Sequence, residues 1–228
     1  HCLRKTEIIS RGRVTSKMKP FIVLIPGMMC NRDVFYHQIN ALKKVFNVIV
    51  KEFNEHCDIE LGVKDLASTL PNQFHLLGHS MGGIVAMEFV KQHSKRVLSL
   101  TLLNTNPYEE KEEQKDRRNK TLKELDGLDL ISLMRSDYIP RYFPDDCRDK
   151  DKLIQKCVDM ASTLDKKVFY NQSVALRDRK DQTFILENLN CKTLIICGER
   201  DEICPVSYHT DMNKMIKSSD LVVLDDVG

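Results

Sequence analysis

A serine flanked by two glycines is the clearest sign of chemistry in this sequence. The pentapeptide GHSMG at residues 78–82 follows one apolar run and precedes another at residues 84–90. A serine placed between a strand and a helix in this way is typical of a nucleophile elbow, a sharp turn that projects the hydroxyl clear of the sheet. Gly78 and Gly82 leave room for that turn and for close packing of the helix on the strand. The pattern predicts that Ser80 is the nucleophile of a hydrolase; a serine that only caps the following helix is the alternative.

The elements that would position this serine alternate between strand and helix. Continuous apolar runs predict strands buried on both faces, and the segments between them carry apolar residues at helical spacing. This alternation predicts a doubly wound, mostly parallel α/β sheet. The predicted strands lie at residues 21–25, 46–50, 74–77, 97–103, 193–197 and 221–224, and the predicted helices at 33–44, 61–70, 81–93 and about 207–217.

The alternation is interrupted once, between residues 106 and 190, where the chain is charged and mostly helical in pattern. We expect this segment to be a helical cap inserted into the sheet domain, with residues 18–105 and 191–228 forming the core. Within it, residues 109–124 form a mixed-charge run, which is typical of a solvated helix face with paired charges four residues apart.

The two ends of the chain carry weaker signals. Residues 1–17 are basic and weakly patterned, and we expect them to be a leader. Either Met18 is the natural start, in which case the leader is non-native or disordered, or residues 7–14 form a short hairpin. At the other end the sequence stops at Gly228, just after the last predicted strand. We therefore expect a chain truncated at its C-terminus.

Composition and charge argue against several classes of protein. The 228 residues are 42% hydrophobic and 30% charged, with a net charge of +2, which fits a globular protein and gives no electrostatic case for binding nucleic acid or a membrane. No apolar run approaches the roughly 18–20 residues that span a bilayer. The 8 cysteines form no CxxC pair and no spacing suited to zinc, so we expect reduced thiols, a cytoplasmic protein and no metal.

The elbow, the sheet and the inserted helices together resemble the α/β-hydrolase fold superfamily, in particular its small bacterial esterase-like serine hydrolases. The resemblance covers nearly all of the chain from Lys19 to Gly228. In this superfamily the triad acid lies in a loop of the form Gly-x-x-Asp-x-x-x-Pro, which residues 198–205 match. The resemblance implies that Asp201 is the acid that would orient and stabilise the imidazolium. An aspartate that caps the next helix is the alternative.

A second match concerns the turn Pro26-Gly27-Met28 after the first strong strand. The superfamily usually has a His-Gly pair at this turn, and the next backbone N–H points into the oxyanion hole; here Pro26 stands in place of the histidine. The resemblance implies that the N–H groups of Met28 and Met81 are the two oxyanion donors. An ordinary Pro-Gly turn would show the same residues.

The base of the triad is not evident among the 7 histidines. His79 belongs to the elbow, where we expect its side chain to point away from the serine hydroxyl, and His209 is expected on a helix as a surface or core residue. In the superfamily the catalytic histidine follows the last strand, commonly in a Gly-His pair. We therefore expect it directly after Gly228, in the superfamily's chain order of Ser, Asp and His.

A further match lies at residues 169–181, which resemble a Gln…Ala…Arg…Asp run that precedes the acid strand in small bacterial α/β hydrolases. By this resemblance Gln172, Arg177 and Asp181 would anchor the cap to the core. A charged helix end is the alternative.

Together these residues predict a serine hydrolase that needs no cofactor and cleaves carboxylic ester or thioester bonds of a small molecule through an acyl-enzyme on Ser80. The cap would select the substrate and exclude water. Hydrolysis of a carbon–carbon bond on the same scaffold is one alternative, and a non-catalytic binding protein is another. Without its histidine, the chain of residues 1–228 is expected to turn over weakly or not at all.

Overall fold

The protein is built on a parallel β-sheet. A computed structural model describes residues 18–228, so the predicted leader at residues 1–17, with both of its alternatives, lies outside the described residues. The strands are β1 Phe21–Ile25, β2 Asn47–Val50, β3 Phe74–His79, β4 Val97–Leu103, β5 Lys192–Gly198 and β6 Ser219–Leu224. They form one six-stranded sheet in the order β2-β1-β3-β4-β5-β6, and each neighbouring pair is parallel.

Helices connect the strands and form one long excursion. The connecting helices are α1 Tyr36–Leu42, α2 Ile59–Ser68, α3 Met81–His93 and α9 Val206–Met215, whereas α4 Glu112–Glu124, α5 Leu130–Leu133, α6 Lys150–Ala161, α7 Lys166–Arg177 and α8 Thr183–Glu187 lie between β4 and β5. The predicted helix at residues 33–44 is shorter than expected. Its first turn is a 3₁₀ turn at Arg32–Phe35, which begins where the Asn31 side chain accepts the Asp33 N–H.

Alternate side chains of β1 show how both faces of the sheet are covered. Ile22 and Leu24 pack with Phe35 on the side of α1, whereas Val23 and Ile25 pack on the side of α2 and α3. Helix α3 is buried along its first ten residues, as expected of a helix in the middle of a core. The predicted doubly wound parallel sheet is therefore confirmed.

The helices between β4 and β5 have an apolar cluster of their own. Met134, Ile139, Val158 and Phe169 are buried in it together with Met29, which comes from the turn after β1. The cluster thus joins this segment to the sheet domain at that turn. Helix α4 has no buried residue, as its mixed charge leads one to expect. The limits of a separate cap domain stay a prediction.

Parallel strands place their carboxyl ends along one edge of the sheet, and ligands of open α/β sheets bind outside that edge. The turn after β1, the elbow after β3 and the loops after β4 and β5 all leave the sheet there. The residues predicted to do chemistry therefore meet at this edge, although they are far apart in the sequence.

Two further properties belong to the described part of the chain. Between residues 18 and 228, no helix is both long enough and apolar enough to cross a bilayer. The cysteines in the same range form no disulfide, and Cys30, Cys197 and Cys204 are buried.

Candidate active site

Ser80 lies in a strained turn between β3 and α3. Its backbone has φ 53° and ψ −119°, a conformation that residues other than glycine adopt rarely and that clusters at functional sites. Two hydrogen bonds hold it: the Ser80 N–H donates to the Leu103 carbonyl at 2.9 Å, and the Thr105 hydroxyl donates to the Ser80 carbonyl at 2.7 Å. The predicted elbow geometry is therefore present at this serine.

The glycines beside Ser80 allow β1, β3 and α3 to approach closely. A Cβ on Gly78 would collide with the backbone of Gly82, and a Cβ on Gly82 would collide with the carbonyl of Ile25 at the end of β1. Backbone on both sides leaves no flexible group that could move away. The two glycines are thus required by packing, in addition to the turn itself.

A cavity of about 360 Å³ opens over Ser80, within the range of small-molecule sites. Its lining brings together Ser80, Asp201, Met28 and Met81 at the carboxyl edge of the sheet, with Gly228 beside them. Among residues 18–228, no group hydrogen-bonds the Ser80 hydroxyl, which leaves it free for a base or a substrate.

Asp201 is fixed by three hydrogen bonds. One carboxylate oxygen accepts the backbone N–H groups of Ile203 at 2.8 Å and Cys204 at 2.9 Å, and the other accepts the Asn104 side-chain amide at 2.7 Å. The first oxygen therefore stabilises the acid loop itself. It does not cap the next helix, α9, whose N-cap is Pro205 and which has no side-chain cap, so the capping alternative is wrong. The second oxygen is oriented by Asn104, which follows β4 with φ 44° and which sequence reasoning did not identify.

Two backbone donors beside Ser80 are free, one in the turn after β1 and one at the start of α3. Neither the Met28 N–H nor the Met81 N–H has an acceptor within residues 18–228, and both residues line the cavity beside Ser80. Unpaired N–H groups that face one cavity can bind a developing negative charge on oxygen. The predicted oxyanion donors are thus brought to the same place as the predicted nucleophile.

Gln172 holds this turn from the helical segment. Its side-chain oxygen accepts the Met29 N–H at 2.8 Å, and Met29 itself has φ 54°. Its amide donates to the Phe53 carbonyl and the Asn54 side chain, each at 3.0 Å. Of the three residues predicted as anchors, Gln172 reaches the sheet domain.

The other two predicted anchors bond within the helical segment instead. Arg177 binds Asp178 and Asn119, and Asp181 binds the Thr183 N–H and hydroxyl. Their spacing resembles the superfamily run, but their contacts are those of a charged helix end. That alternative therefore describes both residues better.

No histidine among residues 18–228 hydrogen-bonds Ser80 or Asp201. His209 is buried, with Nε2 accepting the Thr105 N–H at 3.2 Å and Nδ1 facing the Pro205 carbonyl at 3.1 Å, so both ring nitrogens are occupied. Burial lowers the pKa of His209, and the nearby Asp201 carboxylate opposes that shift. The expectation of a core histidine at this position is thereby met.

His79 lies against the turn after β1. Its ring borders Gly27, its Nδ1 is shielded from solvent, and that atom has no partner within the described residues. Burial lowers the pKa of His79 to about 4, although the Asp201 carboxylate favours the charged ring. At neutral pH the imidazole is therefore uncharged.

Comparison with known proteins places these features in a family. A sequence model of the α/β hydrolase fold matches residues 66–130, which include the elbow. A pimeloyl-[acyl-carrier protein] methyl ester esterase from Neisseria meningitidis is 22% identical over 222 residues, which cover 90% of this chain and 69% of the relative. Monoacylglycerol lipase abhd6-B from Xenopus laevis is also 22% identical, over 92% of this chain and 70% of the relative.

Solved structures show the same architecture. A thermophilic esterase from Thermogutta terrifontis superimposes with a TM-score of 0.84 and 25% identity, over 92% of this chain and 83% of that one. The esterase and lipase relatives together with this neighbour support a hydrolase of the carboxylesterase type. By its parallel sheet, its matched region and its structural neighbours, the chain has the α/β-hydrolase fold.

Proposed function

We propose that this protein is a serine hydrolase that cleaves carboxylic ester or thioester bonds through an acyl-enzyme on Ser80. The observation that carries the proposal is the strained Ser80 backbone, which presents an unpaired hydroxyl to the cavity. A helix cap alone would not need a conformation of this kind, because ordinary N-cap residues are extended. The esterase and lipase relatives support the ester class of substrate.

In the proposed reaction the Ser80 oxygen attacks the substrate carbonyl carbon while a base takes the hydroxyl proton. The carbonyl oxygen becomes an oxyanion that accepts hydrogen bonds from the N–H groups of Met28 and Met81. The protonated base then gives its proton to the leaving alcohol or thiol, and an acyl-enzyme remains. Water repeats these steps to release the acid and restore Ser80, so no cofactor is consumed.

We further propose that the base is a histidine directly after Gly228. Gly228 lines the cavity together with Ser80 and Asp201, which supports this position for the base. The chain between β6 and Gly228 is tied to the acid loop: the Glu199 N–H donates to the Leu224 carbonyl at 2.9 Å, and the Arg200 N–H donates to the Val227 carbonyl at 2.8 Å. Asp201 would then stabilise the imidazolium, as the acid of such triads does.

Active-site labelling tests the nucleophile. A fluorophosphonate forms a bond between its phosphorus and an activated serine oxygen and releases fluoride, so it labels serine hydrolases covalently. We expect the complete protein, with the residues that follow Gly228, to be labelled and Ser80→Ala to remain unlabelled. The matched control is Ser94→Ala, a change of the exposed serine at the other end of α3, which should keep its label.

Activity of the same variants completes the test. We expect hydrolysis of p-nitrophenyl esters to fall about a thousandfold or more in Ser80→Ala. Labelling that persists in Ser80→Ala would exclude this serine as the nucleophile. A complete protein that neither labels nor hydrolyses any ester would favour the binding protein over the enzyme. Running esters and acyl thioesters of matched chain length side by side then distinguishes the two bond types.

A further inference from the structure

The helical side of the cavity is strongly cationic. Four arginines line the cavity: Arg117, Arg118, Arg141 and Arg179. Its carboxylates are Glu110 and Asp201, so the lining has a formal excess of two positive charges. Asp201 is already engaged by Asn104 and two backbone N–H groups. The proposed ester hydrolysis explains Ser80, Asp201 and the oxyanion donors, but it gives these arginines no role.

Two of the arginines share one buried carboxylate. Arg118 Nε and Arg179 Nη1 both donate to the same oxygen of Glu110, at 2.9 and 2.8 Å, and the Glu110 side chain is only 4% exposed. Arg179 is further satisfied by the Tyr108 and Leu176 carbonyls. One carboxylate thus serves two guanidinium groups, and a net positive charge remains in a place with little water. Such a charge is costly unless an anion offsets it.

Arg118 is the member of this group that contacts the side chain of a predicted oxyanion-hole residue. Its Nη1 lies 3.7 Å from the Met28 sulfur, on the residue whose N–H is the proposed oxyanion donor. On α4, Gln114, Arg117 and Arg118 are spaced three and four residues apart, which puts them on one face, and all three line the cavity. The mixed-charge run therefore has a face turned to the cavity as well as a solvated one.

Arg117 and Arg141 extend the cationic surface to the mouth of the cavity. Both are exposed, both line the cavity, and neither has a carboxylate within ion-pair distance among residues 18–228. Guanidinium groups bind carboxylates through two parallel N–H···O bonds, a geometry that neutral esters do not offer. The arrangement suits a ligand that carries a carboxylate away from its reacting bond.

We propose that the substrate is an ester with a second, free carboxylate, which Arg118 binds together with Arg117 and Arg141 while Ser80 attacks the ester carbonyl. Half-esters of dicarboxylic acids are the simplest members of this class. The inference rests on the proposed ester hydrolysis for its reacting end, but the arginines and their charge are independent of it.

Binding to the Ser80→Ala variant of the complete protein tests the proposal without turnover. The probes are monomethyl adipate, which carries one negative charge at neutral pH, and dimethyl adipate, which has the same chain and no charge. By calorimetry at low salt we expect the half-ester to bind about tenfold or more tightly than the diester. High salt should reduce this ratio, because the exposed part of the site is screened.

Two sets of variants assign the effect to the cavity. The double variant Arg117→Gln, Arg141→Gln should lose most of the preference for the half-ester and keep its affinity for the diester. The matched control, Arg135→Gln with Arg148→Gln, removes the same charge from exposed arginines of the same segment that do not line the cavity, and it should keep the preference. Arg118→Lys keeps the charge beside Glu110 but not the forked geometry, so it should weaken the half-ester selectively.

Each result decides the proposal. Equal affinities for the two probes, or no binding of either, would overturn it. An equal loss in the control double variant would also overturn it, because the preference would then come from net charge alone. Failure of the proposed function is separate: a protein that is not labelled by fluorophosphonate but still prefers the half-ester keeps the anion site and loses the reaction.

Discussion

The cavity has two walls that are built by different physical means. On the sheet side, Ser80 is fixed mainly by backbone: a positive φ angle, glycines in close contact, and a hydrogen bond from its N–H to the Leu103 carbonyl. On the helical side, Arg118 and Arg141 are held by side-chain ion pairs or remain exposed. The sheet wall is thus held by backbone geometry that side-chain changes leave in place, whereas the helical wall is held by side chains and is the part that can be altered to suit a ligand.

Gln172 is the clearest link between the two walls. It projects from α7 on the helical side, and its three hydrogen bonds reach Met29, Phe53 and Asn54 on the sheet side. Because the side chain is only 2% exposed, these bonds are made away from water, where an unpaired partner is costly. The helical wall thus contributes to the geometry of the turn after β1 as well as to the proposed ligand surface.

The largest expected effect comes from closing the space at Gly82. In Gly82→Ala the new Cβ would collide with the carbonyl groups of Ile25 and Pro26. Because both of these are backbone, we expect a loss of about 4 kcal/mol or more in the free energy of unfolding. Gly127→Ala is the control on the helical side, since nothing lies within 4 Å of its added Cβ. Urea unfolding of both variants gives the measurement. A Gly82→Ala protein as stable as its parent would break the distinction between a rigid sheet wall and a tolerant helical wall.

The sheet wall was also the part that could be read from the sequence. The glycines around Ser80 predict the elbow, because a strained turn restricts which residue types can stand in the few positions next to it. The strands are visible because burial on both faces demands continuous apolar runs. Asn104 was missed, since an asparagine after a strand has no special spacing and its contact with Asp201 spans 97 residues. Such a contact exists only once the strands are aligned.

The helical wall was less predictable for a related reason. Helix α4 has a single apolar residue, Leu122, so it has no apolar stripe that would show which side faces inward. The mixed charge at residues 109–124 predicted a solvated face, and no pattern showed that Arg117 and Arg118 line a cavity. Glu110 and Arg179 are 69 residues apart, so their pairing also depends on the folded chain.

The pH dependence of stability tests whether the His79 ring in the sheet wall is shielded from water. Burial lowers the pKa of His79 to about 4, whereas an unfolded histidine titrates near 6.5, so the unfolded state takes up the proton first. Above about pH 6.5, therefore, protonation of His79 does not change the free energy of unfolding. As the pH falls from about 6.5 to about 4, it should lower the free energy of unfolding by about 3 kcal/mol, with no further change at lower pH.

The measurement compares the free energy of unfolding of the parent and of His79→Gln across that pH window. Burial also lowers the pKa of His93 and His209, so the parent curve contains their contributions, and only the difference between the two proteins isolates His79. We expect the variant to lose less stability on acidification. Parallel curves would mean that water reaches the ring, and the sheet wall would then be less closed than its backbone contacts indicate.

The smallest expected effect comes from removing the hydrogen bonds by which Gln172 connects the two walls. Gln172→Leu keeps a side chain of similar size but leaves the Met29 N–H without its acceptor, so we expect a loss of about 2 kcal/mol in the free energy of unfolding. Gln155→Leu, at an exposed position of α6, controls for the apolar replacement and should change stability by less than about 0.5 kcal/mol.

If Gln172 positions the oxyanion turn, kcat of the complete enzyme should fall about tenfold while KM changes little, since a donor aimed at the oxyanion acts in the transition state. A rise in KM with unchanged kcat would instead assign Gln172 to substrate binding. The helical wall would then not position the turn after β1, despite the hydrogen bonds between the two walls.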